Sequence, residues 1–250
     1  AGYGMYLYLS RTLRLSSLAS FCGGLMMLAV TRQTNIFDTF QYLFPLYLYC
    51  FDRCINEQLL RNKFRYILVL TIIFISALPH VTIPFVPAIH LAMIIFFVRP
   101  LGLLKKYLIW FFCVWSIYIA VQSPTLYLLI SEAAYSQRIE FQRYWLSNYY
   151  VGQFIVDNFF IPALMPNLSI LLPTALCIIS FVFLKSRIMR FWWGFIIILF
   201  LALSITESSF GMMLTKYFGL LRVTRFSIVL PFVFCLLSSY GLFFLEKIYR

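Results

Sequence analysis

The chain has 250 residues, of which 63% are hydrophobic, 20% aromatic and only 11% charged, with mean hydropathy +0.91. Too little polar surface exists to cover a water-soluble domain of this size, and disordered readings fail for the same reason, which leaves an integral membrane protein with several helical spans. The formal charge of +12 points to nucleic acid in a soluble chain, but in a membrane chain it reflects basic cytoplasmic loops.

In chain order the apolar runs fall at 1–10, 15–30, 38–52, 66–79, 81–98, 107–123, 169–184, 191–205 and 226–245. None alternates with period two, so each is read as a helix, and the expected fold class is an all-α polytopic bundle of about eight or nine spans forming a single domain over 1–250. The pair 66–79 and 81–98 is the least regular. Pro79, Pro84 and Pro87 could make it one broken or re-entrant element.

Lysine and arginine orient the spans. The segments 11–14, 53–65, 99–106, 185–190 and 246–250 hold 14 of the 20 basic residues and fall on one side if nine spans alternate. That side is cytoplasmic by the positive-inside bias. The other side receives 31–38, the turn near 80, and the long segments 124–168 and 206–225. It holds only Arg32, Arg138, Arg143, Lys216, Arg222 and Arg225, against five of the eight acids. The expected location is a bacterial cytoplasmic (inner) membrane, with loops 53–65, 99–106, 185–190 and the C-terminus cytoplasmic. The first span then runs from outside to inside, so with a cytoplasmic native N-terminus an odd number of spans, and a first extracytoplasmic loop, are expected upstream of Ala1.

The outer segment 124–168 carries Phe141, Tyr144, Trp145 and Tyr149 on one helical face. An interfacial helix in the aromatic belt accounts for them, and so does one wall of a groove for a lipid-linked sugar. Asp38 reads as an N-cap, and Asn167-Leu168-Ser169 fits the glycosylation triplet.

Motifs of soluble enzymes are absent, whether glycine-rich phosphate loops, zinc-binding helices or a nucleophile elbow. His80 and His90 stand ten apart without carboxylates nearby, which argues against a zinc pair. His80 stands at an outer edge and is either interfacial or a hydrogen-bond donor in an outer cavity. The six cysteines read as buried, reduced thiols. Gln122-Ser123-Pro124-Thr125, then Ser131-Glu132 and Ser136-Gln137-Arg138, lead out of a span. They read either as helix caps with a solvated Glu or as a cavity wall in which Gln122, Glu132 and Arg138 face a polar ligand. The strongest local signal is Leu221-Arg222-Val223-Thr224-Arg225-Phe226. Two guanidiniums three residues apart, on the side where arginine is disfavoured, match either lipid headgroups or the phosphate of a lipid-linked donor.

In this order, Gly4 to Ser16, Pro45 to Arg53, Leu78-Pro79-His80, Gln122 to Arg138 and Leu221 to Phe226 resemble the succession of elements in YfhO-type bacterial membrane proteins, within the GT-C superfamily of polyprenyl-phosphate-sugar-dependent glycosyltransferases. The chain departs from that pattern at Leu78-Pro79-His80, where the family often has Gly-x-Pro-Gln, and at Thr224, which replaces a proline. The resemblance covers most of the 250 residues. It implies inverting transfer of a sugar from a polyprenyl-phosphate donor to an envelope glycan, lipid or protein on the extracytoplasmic face, with Arg222 and Arg225 on the donor phosphate. The family's catalytic acid lies in the first extracytoplasmic loop, expected upstream of Ala1, so no catalytic base is assigned. Gln122, Glu132, Arg138 and His80 remain cavity candidates. No metal ligand set is visible, so a divalent cation stays open and no cofactor is assigned. Membrane lipids are expected partners and nucleic acid is not. Alternatives are an envelope polysaccharide polymerase or ligase, a flippase, or a structural subunit of a membrane complex.

Overall fold

A computed structural model describes residues 1–33, 39–76, 79–133, 168–183, 186–206 and 229–250. Every regular element among them is helical. Among the described residues nine α-helices follow the apolar runs: α1 (Gly2–Leu7), α2 (Ser17–Gln33), α3 (Thr39–Asn56), α4 (Leu60–Ser76), α5 (Pro79–Phe97), α6 (Leu101–Ala133), α7 (Leu168–Ile179), α8 (Arg187–Thr206) and α9 (Leu230–Tyr249). A π-helical turn, Tyr8–Thr12, continues α1, and a 3₁₀ turn, Ser180–Phe183, continues α7.

One boundary is corrected and one irregular stretch is resolved into two helices. Helix α4 stops at Ser76, and α5 starts at Pro79 and runs through Pro84 and Pro87 to Phe97. A proline at the first helical position lacks only an N–H that has no partner there anyway. Helix α6 does not end near 123 but continues through Pro124 to Ala133. Gln122 to Glu132 is therefore helical, and the serines do not cap it. Ser123 and Ser131 donate back to the carbonyls of Ala120 (2.9 Å) and Leu128 (2.9 Å). At 33 residues α6 is about 50 Å long, well beyond the ~30 Å of a bilayer core.

Helix α1 ends in a widened turn for a visible reason. Gly2 approaches the backbone of α2 at Gly24, and Gly4 approaches α3 at Leu46, so neither position has room for a side chain. Downstream, Ser16 caps α2 by accepting the Ala19 N–H on its Oγ (3.1 Å). With both ends fixed, the π turn absorbs the extra residue, and Arg14 closes it at φ 56°.

Neighbouring helices form a closed circuit. Helix α9 lies between α7 and α2; α1 joins α2 to α3; then come α4, α6, α5 and α8, and the 3₁₀ turn links α8 back to α7 and α9. The α7–α9 seam is the tightest. A methyl on Gly241 would collide with the Leu176 backbone, and the Ser238 Oγ donates to the Pro173 carbonyl (2.7 Å), with the Phe234 carbonyl 2.9 Å away as its alternative acceptor. Across the middle, α9 touches α3 through the Phe44–Phe232 edge contact (5.2 Å between centroids).

Around a largely apolar core the surface is also rich in large apolar side chains. Leu18, Phe21, Leu25 and Leu28 form an exposed stripe on α2, and Leu60, Phe64, Leu68, Ile72 and Ile75 another on α4. Ser20, His90, Gln122, Ser180, Ser238 and Ser239 are buried. Two helical stretches, Leu101–Leu128 and Phe232–Tyr249, are long and apolar enough to cross a membrane.

Candidate functional site: a buried polar core and a carboxylate hub

Of the residues expected to form a site, Arg138, Arg222 and Arg225 lie outside the described residues, as do Asp38, Asn167 and the aromatic face 141–149. His80 is the second residue of α5, and Glu132 belongs to the last turn of α6. Gln122 is placed fully. It is buried and its Nε2 donates to the Phe74 carbonyl of α4 at 2.5 Å, so this side chain braces α6 against α4.

Gln122 belongs to a longer arrangement. Phe111, Trp115, Tyr118 and Gln122 follow one another at spacings of three or four and share the inward face of α6. Phe74 of α4 packs on Trp115 and Tyr118 (centroids 5.7 and 4.9 Å). Against this wall stand Tyr47 of α3 and His90 of α5, whose hydroxyl and Nδ1 are 2.6 Å apart. Both are buried, Tyr47 fully and His90 to 2% exposure. Phe51 and Phe111 close the ring around the imidazole, with Phe51 edge-on at 4.3 Å. A buried imidazole is neutral and carries one N–H. The pair is satisfied in either of two ways: the tyrosine donates to an unprotonated Nδ1, or a protonated Nδ1 donates to the phenol oxygen.

One helical turn and a half from Tyr47 along α3, Asp52 makes a second centre. Its Oδ1 accepts from Asn56 Nδ2 (2.9 Å) and from the Tyr107 hydroxyl of α6 (3.0 Å). Its Oδ2 accepts from Thr12 Oγ1 in the π turn (3.4 Å). Asn56 Nδ2 also lies 3.2 Å from the Tyr107 hydroxyl. One carboxylate thus joins the α1 turn, α3 and α6 through neutral donors. Arg53, next in sequence, turns away and lies over the Tyr49 ring (5.4 Å).

Neither centre was expected as a site. The sequence weighs His90 only as half of a zinc pair, and gives Asp52 no role of its own. Two signals were present: an ionisable residue deep in an apolar run, which in a membrane chain needs a named partner, and an Asp–Asn pair at i, i+4. The partners Tyr47 and Tyr107 are 43 and 55 residues away, and no local pattern marks them. Among the described residues no three His, Cys, Asp or Glu side chains come together as metal ligands. All six cysteines are free, four of them buried, but Cys113 faces outward, contrary to the buried reading. No family model matches the chain, and no curated protein or solved structure does.

Proposed function

We propose that the protein is a polytopic inner-membrane glycosyltransferase of GT-C type, transferring a sugar from a polyprenyl-phosphate donor to an envelope acceptor on the extracytoplasmic face. The membrane part of this reading is supported by the apolar surface. Large apolar side chains line the outside of α2 and α4, while the buried polar groups of His90, Gln122, Ser180, Ser238 and Ser239 find partners inside, as expected where lipid is the solvent. The described helices lie where the apolar runs are read, and two stretches among them, Leu101–Leu128 and Phe232–Tyr249, are long and apolar enough to cross; this reading puts the Asp52 end of the bundle on the cytoplasmic side.

The transfer part is carried by the ordered elements that end in Arg222-Val223-Thr224-Arg225. In this reading an acceptor hydroxyl oxygen attacks the anomeric carbon, the bond from that carbon to the phosphate oxygen breaks, and a base takes the hydroxyl proton. The two guanidiniums neutralise charge growing on the departing polyprenyl phosphate. The test offers purified full-length protein a polyprenyl-monophosphate sugar and, separately, a diphosphate-linked glycan. Consumption of the monophosphate donor, lost on Arg222→Ala and Arg225→Ala, is the expected result. Consumption of only the diphosphate donor assigns a polymerase or ligase instead, and turnover unchanged in both variants removes the arginines from the site.

A further inference from the structure

We draw no further inference here: the strongest candidate, the outward-facing stripe of small residues Cys113, Ser116, Ala120 and Ser123 on α6, has the spacing of a helix-pairing face, but nothing in the structure shows what covers it.

Discussion

Tyr47→Phe is the sharpest test of the buried core. The change removes one oxygen and keeps the ring that Phe74, Trp115 and His90 pack against. His90 Nδ1 then faces aromatic carbon, with Phe51 and Phe111 across the ring. Leaving a buried polar atom unpaired costs about 1–3 kcal/mol in soluble proteins. Hydrogen bonds inside membrane bundles average only about 0.6 and reach about 1.7, because the unfolded chain in lipid also finds partners. The completeness of the enclosure puts this pair near the upper membrane figure, so a loss of about 1–2 kcal/mol is expected. His90→Leu should cost a similar amount, and the double variant less than the sum, with a coupling of about 1 kcal/mol. The assay is reversible unfolding in mixed micelles of rising SDS fraction, followed by tryptophan fluorescence, since Trp115 reports on this site. A Tyr47→Phe stability within about 0.3 kcal/mol of the parent, or a strictly additive cycle, refutes the argument that this hydrogen bond specifies the α3–α5 contact.

The same assay separates two glycines. Gly241→Ala drives a methyl into the Leu176 backbone, which cannot move aside as a side chain could, and should cost about 3 kcal/mol or more. Gly102→Ala, with open space around it in the first turn of α6, should be neutral or stabilise by up to about 1 kcal/mol. Asp52→Leu strands the Tyr107 and Thr12 hydroxyls and the Asn56 amide, and should destabilise by about 2 kcal/mol, against about 1 for Tyr107→Phe; equal effects would place the carboxylate outside any shared network. A membrane-permeant maleimide should alkylate exposed Cys113 in the folded protein and reach Cys54 and Cys235 only after denaturation, which peptide mass mapping reads directly.

The helices were legible because their cause is local. A run of apolar residues of about the right length has to satisfy its own backbone, and a helix does so within the segment. The misreadings arose where a local rule met its exception. Pro84, Pro87 and Pro124 suggest breaks or edges by a local rule, yet each lies inside a helix, α5 or α6. Gln122 reads from the sequence as part of a cap or a cavity wall, whereas in the structure its amide meets the Phe74 carbonyl of another helix, 48 residues away. The same holds for Tyr47 with His90 and for Asp52 with Tyr107. Each partner is fixed by which helices become neighbours, and that is a property of the whole circuit. Arg222 and Arg225 were chosen by a different kind of argument, chemistry against topology, and their test is enzymatic.

The closed circuit has a consequence for how the protein is made. Helix α9, made after α2, α3 and α7, is the element that seals α2 to α7 and reaches α3 at the centre. Until it inserts, Gly23 of α2 lacks the Ser239 it rests against, and Leu176 of α7 lacks Gly241. Every nascent chain therefore passes through a stage in which α2, α3 and α7 are made but the faces that α9 covers are still open. Such a stage is where membrane chaperones and quality-control proteases act on unfinished proteins. Deletion of Leu230–Tyr249 alone should accordingly abolish accumulation of the protein rather than yield a slightly shortened one.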